Sequence, residues 1–312
     1  MQTSRIRRNG DGFTLVELLT AMVITTIIVG ILVSVTSVAL DTWNRSRSEL
    51  RASRQAKAMI DTVTRDFESL VIRRGNSFEW LSAIFDSQQI GKNIKSTNAA
   101  RLIFFTGAND RYNGEIGEEG KDEGGDISCV AYQLQYKNPM SSTEEPGFET
   151  FVFNRLLVDP DQAYKDLLGE DDLERAFSKY EGELTKSSNF ICENVLQFTV
   201  TFHVKVERPG SGTDPTKIID VPVKIGGSGS GETTELFKFR GKGIDTPYTG
   251  DAVTADELKT GRIVAVEVAL TVLTDFAIDQ LRNRSFGTST KEKEFITKNS
   301  YEYSKLIQVP SL

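Results

Sequence analysis

The chain has 312 residues, a formal net charge of −7 and 38% hydrophobic residues. This is enough apolar chain for one or two domains with a sizeable core, and the acidic balance excludes nucleic acid as a general partner. Two cysteines and one histidine exclude a Cys-rich scaffold and a His-based metal cluster.

The first twelve residues carry Arg5, Arg7 and Arg8 and end in Gly-Asp-Gly. From Phe13 to Leu40 the only charge is Glu17, and Leu18 to Leu40 is an uncharged run of 23 residues. As a helix, that run is about 35 Å long, enough to span a bilayer with slight tilt. It is too long for the apolar region of a secretory signal peptide, and polar residues begin only at Asp41. A carboxylate at hydrocarbon depth is costly, so Glu17 calls for a compensating partner. Lys and Arg are more numerous downstream (Arg45, Arg47, Arg51, Arg54, Lys57) than upstream. That count alone places the body in the cytoplasm.

Helical spacing continues past the apolar run. Trp43, Leu50, Met59, Ile60, Val63, Phe67 and Leu70 recur three, four and seven apart, with Arg51, Arg54, Lys57, Asp61 and Arg65 on the polar side. The pattern predicts one helix from about Thr14 to about Ile72, broken by the Arg-Arg-Gly-Asn-Ser stretch at 73–77.

Runs of β-branched and aromatic residues then predict strands at 101–106, 127–136, 149–157, 191–206, 217–225, 262–274 and 301–310. One helix is expected at 160–180, and a short polar turn or helix at 254–262. The fold class read from this order is α+β: a long N-terminal helix packed on a mainly antiparallel sheet head.

The polar stretches offer little chemistry. Residues 107–126 are rich in Gly and acid, which calcium could use. However, Arg111 and Tyr112 interrupt the spacing of an EF-hand loop, so a solvated loop is the better reading. Residues 224–235 are Gly- and Ser-rich but lack the Lys-Ser/Thr ending of a P-loop, and read as linker. His203 lies in a strand pattern and reads as an ordinary sheet residue. If the body is outside the cytoplasm, Cys129 and Cys192 could pair; otherwise they are two reduced, buried thiols. No Gly-x-Ser-x-Gly elbow, Ser-His-Asp triad or Cys–His pair is evident, so no enzymatic activity is expected.

The stretch Gly-Phe-Thr-Leu-Val-Glu-Leu-Leu at 12–19 closely resembles the class III signal of type IV pilins and type II secretion pseudopilins. The resemblance implies a leader at 1–12, cleavage by a prepilin peptidase between Gly12 and Phe13, and N-methylation of Phe13. It further implies that Glu17 pairs with the N-terminal ammonium of an adjacent subunit, so that two opposite buried charges compensate each other. The implied domains are 13–42, a transmembrane and assembly half-helix; 43–74, an amphipathic half-helix; and 75–312, a globular head outside the inner membrane. This placement overrides the charge count.

"AKAMIDTVTRDFESL", "ENVLQFTVTF", "GRIVAVEVALTV" and "YSKLIQVP" further resemble the minor pseudopilin J family. That likeness implies a tip subunit of a periplasmic pseudopilus, with other minor and major pseudopilins and an inner-membrane assembly platform as partners. Polar insertions at 107–126, 160–188 and 207–259 depart from it. The alternatives are a minor pilin of a surface pilus and a membrane-anchored binding module or enzyme. No cofactor is implied.

Overall fold

In the computed structural model the described residues are 14–85, 89–90, 94–96, 100–107, 127–139, 149–209, 216–227, 233–248, 250, 252–283 and 286–310. Gly12, Phe13 and nearly all of the acidic insertion at 107–126 lie outside them. The chain divides into two units, one ending at Leu50 and one running from Arg51 to Leu312.

Helix α1 (Leu15–Glu68) contributes to both units. Among the described residues of the first unit every large apolar side chain is exposed, including Leu18, Ile24, Ile31 and Val38. Hydroxyls of Thr20, Thr25, Thr26, Thr36 and Thr42 each donate to the carbonyl four residues earlier, at 2.7–2.9 Å. These threonine hydroxyls are therefore satisfied within the helix, as polar groups in lipid must be. Burial begins at Ala52 and recurs at Ala56, Met59, Ile60, Val63 and Phe67. Trp43 and Leu50, which the sequence pattern places on the packing stripe, are 68% and 56% exposed. The helix stops at Glu68, before the expected Ile72, because Leu70 bridges to Thr106 and the Val71 amide donates to the Phe105 carbonyl at 2.9 Å.

The second unit continues with strands β1 (Glu79–Phe85), β2 (Gln89–Ile90), β3 (Ile94–Lys95), β4 (Ala100–Thr106), β5 (Ser128–Lys137) and β6 (Thr150–Val158). Helices α2 (Pro160–Asp166), α3 (Leu173–Phe177) and α4 (Glu181–Leu184) follow. Next come β7 (Phe190–Glu193), β8 (Val195–Arg208), β9 (Lys217–Ile225), β10 (Thr233–Thr234), β11 (Leu236–Arg240) and β12 (Gly243–Asp245). The last elements are α5 (Ala255–Thr260), β13 (Arg262–Leu273), α6 (Asp275–Asn283), α7 (Ser289–Lys298) and β14 (Ser300–Gln308).

They build two larger sheets and a small β2–β3 hairpin. The seven-stranded sheet has the order β12-β11-β1-β4-β5-β6-β7, and the five-stranded sheet β10-β9-β8-β13-β14. Every pairing is antiparallel except the two-residue contact of β10 with β9. The expected fold class is therefore the observed one.

One face of the seven-stranded sheet carries Phe104, Tyr132, Phe153 and Arg155. Against it lie the buried stripe of α1, with Phe67 stacked on Phe104 at 4.4 Å, and the five-stranded sheet, through Phe153–Phe198 and Phe202–Phe237. The opposite face is covered by α2 to α4, which bury Ala163, Leu173, Phe177 and Leu184. Burial on both faces explains why β4 reads as a continuous apolar run, whereas β8 alternates between buried and half-exposed positions.

Two expected elements are broken. The 160–180 helix splits because Gly169 takes φ +100° and Asp172 starts a new helix, its carboxylate accepting from the Arg175 amide at 3.1 Å. The 191–206 strand splits at Asn194, whose φ of +62° passes the chain from one sheet to the other. The buried Asn194 amide group donates to Asp275 and accepts from Thr150, both at 2.7 Å, and Arg51 pairs with Glu193 and Asp275 beside it. These bonds hold a conformation that side chains other than glycine rarely adopt.

Candidate functional site: the start of the long helix

The sequence places the functional site at Gly12, Phe13 and Glu17. Only Glu17 is among the described residues, in the first turn of α1. There it forms a capping box with Thr14. The Thr14 amide donates to the Glu17 carboxylate at 3.0 Å, and the Thr14 hydroxyl to the same oxygen at 2.9 Å. In return, the Glu17 amide donates to the Thr14 hydroxyl at 3.3 Å. The box satisfies amides that a helix start leaves open and sets a negative charge at the positive end of the helix dipole.

Thr14 is the residue that the sequence reading missed. Its signal was present as Thr-x-x-Glu directly before an apolar run. The acid in the membrane-length segment thus has a local partner within its own chain and keeps its carboxylate exposed at the helix start. All side chains around it, from Leu15 to Leu19, are exposed.

Among the described residues no group of three or more His, Cys, Asp and Glu side chains is arranged to hold a metal ion. His203 lies on β8, half-buried, with Nδ1 3.7 Å from Asp220 and Nε2 4.0 Å from Glu267 on the neighbouring strands. The loop considered for calcium lies outside the described residues.

Of the two alternatives for the cysteines, the geometry rejects pairing. Cys129 on β5 faces Val158 of β6, whereas Cys192 on β7 faces Phe153 of β6. Their partners are five residues apart along one strand, or about 17 Å, while a disulfide needs Cα atoms within about 7 Å. Both thiols are free and buried. Burial pushes the Cys192 thiol up to about 12 and raises Cys129 further.

Residues 7–33 match the family model of the prokaryotic N-terminal methylation motif. Searches against curated proteins and solved structures find no significant match. The motif supports a type IV pilin-like protein, with processing by a prepilin peptidase and assembly with other pilins. Together with one helix long and apolar enough to cross a membrane, it points to membrane anchoring.

Proposed function

We propose that this chain is a minor pseudopilin, a non-enzymatic structural subunit of a type II secretion pseudopilus that takes the J position at the tip. The observation that carries the reading is the sequence Gly12-Phe13 followed by Glu17 and an uncharged run to Leu40. The prepilin peptidase cuts after Gly12, where a side chain would obstruct close approach to the backbone. Phe13 becomes the methylated N-terminus, and its ammonium meets the Glu17 carboxylate of a neighbour. That pair fixes the axial stagger of packed helices. The head, by this reading, stands in the periplasm and the helix in the inner membrane, beside other pseudopilins and an assembly platform.

The first experiment is the intact mass and N-terminus of the protein from its native membranes. A chain beginning at Phe13 and one methyl group heavier supports the reading; a chain still beginning at Met1 overturns it. Gly12→Glu should leave the leader attached, whereas Glu17→Val should be cleaved normally and assemble poorly. Shearing separates the two fibre types, because a surface pilus sheds its subunits and a pseudopilus retains them.

A further inference from the structure

Among the described residues the outer edge of β14 is an unpaired strand template nine residues long. The other edges of the two larger sheets are short or blunted among the described residues. β12 has three residues and β7 four, while β9 carries Pro222 and is partly covered by β10.

The register shows which backbone groups of β14 are open. The Thr274 amide donates to the Asn299 carbonyl at 3.1 Å and the Val309 amide to the Val264 carbonyl at 3.3 Å. Bonded pairs alternate along an antiparallel ladder, and the same register runs from Leu273↔Ser300 to Ala265↔Gln308. Odd-numbered residues of β14 therefore bond to β13. Even-numbered Glu302, Ser304, Leu306 and Gln308 direct their amides and carbonyls outward, where none has a backbone partner among the described residues.

Ser304, Lys305 and Leu306 are exposed in succession, Leu306 by 54%, as happens where both faces and the edge are open. The edge is weakly defended by charge. Lys305 turns inward to Asp61 of α1 at 3.5 Å, leaving Glu302 as the one charged residue with an outward-facing backbone.

We infer that β14 is the site at which an extended segment of a neighbouring fibre subunit adds as a further strand. This deepens the proposed function and rests on it. Four donors and four acceptors in strand spacing fit another extended backbone and not a lipid or a helix. The side chains define that segment further. Tyr301, Tyr303 and Ile307 face inward, so its inward residues are apolar, while Glu302, Ser304 and Gln308 border polar ones.

Proline tests this directly, because at an even position it removes an outward amide without touching the β13 ladder. Full-length wild type, Ser304→Pro, Leu306→Pro and Ser304→Ala would be expressed in the native host and fibre complexes isolated from its membranes. Each proline variant should be recovered about tenfold less in the complex, with the Ser304→Ala variant at wild-type level. Recovery of both proline variants at wild-type level would overturn the inference. Should proline unfold the head, hydrogen exchange of wild type decides instead. The amides of Glu302, Ser304, Leu306 and Gln308 should be protected in the complex and open in the isolated chain; equal exchange would sink the proposal. A wild type that is unprocessed and absent from any fibre overturns the pilin-like reading and this partner together. A processed, incorporated wild type with open β14 amides overturns the strand addition alone.

Discussion

Asp66, near the end of the long helix, and Arg155, on β6 of the seven-stranded sheet, form a two-pronged ion pair inside the core. Nε and Nη2 of Arg155 each donate to a different carboxylate oxygen at 2.8 Å, and both residues are 1% exposed. The Tyr132 hydroxyl donates to the same carboxylate. Burial, and then the Asp66 charge, raise that phenol well above its ordinary range, so it remains a donor. The three groups tie the helix to two adjacent strands.

Removing one partner of this pair leaves the other charged and buried, which costs about 3–5 kcal/mol. Asp66→Ala and Arg155→Met should each lower the unfolding free energy of the full chain, read from urea titration in detergent, by that amount. The double variant Asp66→Ala/Arg155→Met should be less unstable than the sum of its singles. Additive losses would show that the pair is not coupled.

The positive φ of Asn194 makes a substitution order testable. Asn194→Gly loses the bonds to Asp275 and Thr150 but keeps the backbone free to adopt φ +62°. Asn194→Ala loses the same bonds and adds strain of about 1–2 kcal/mol. The alanine variant should therefore melt lower than the glycine variant, and the reverse order would contradict a strained junction.

The Arg208 guanidinium first, and then the Thr254 amide, hold the Glu257 carboxyl at about 2 against an ordinary value of 4.5. A group lowered on folding stabilises the native state above its unfolded value, and that contribution disappears as pH falls through its folded value. Wild type should thus lose stability from about pH 4.5 down to about pH 2. Glu257→Gln should show a flatter acid limb in a pH series of melting temperatures; identical limbs would refute the contribution.

Cys129 and Cys192 are free and buried, and their thiols are held protonated. The native chain should resist alkylation at neutral pH. After unfolding without reductant, two thiols per chain should react. Finding none would mean that the strands carrying them are arranged differently.

Much of the architecture is legible locally. The α1 pattern, the alternation in β8 and β13 and the turn residues between strands all act over a few neighbours, so their positions follow from spacing. β1, β11, α6 and α7 were not legible. Leu236–Arg240 becomes a strand by lying beside Glu79–Phe85, which in turn lies beside β4, as Ala83↔Phe237 and Leu81↔Phe104 show. The 160–188 insertion likewise has no visible purpose in the sequence; in the structure it covers the second face of the larger sheet.

The candidate site divides in the same way. Gly12, Phe13 and Glu17 stand out by their order along the chain, within the stretch that matches the methylation motif. The Thr14–Glu17 box is equally local, since it spans one helical turn. The sequence by itself determined a membrane-length helix carrying a prepilin-type methylation motif, followed by an α+β head. Only the tertiary structure decided that Asp66 meets Arg155, that Cys129 and Cys192 stay apart and that β14 is left with an open edge. Those relations join residues far apart in the chain, and strand order and register set them, which no local pattern encodes.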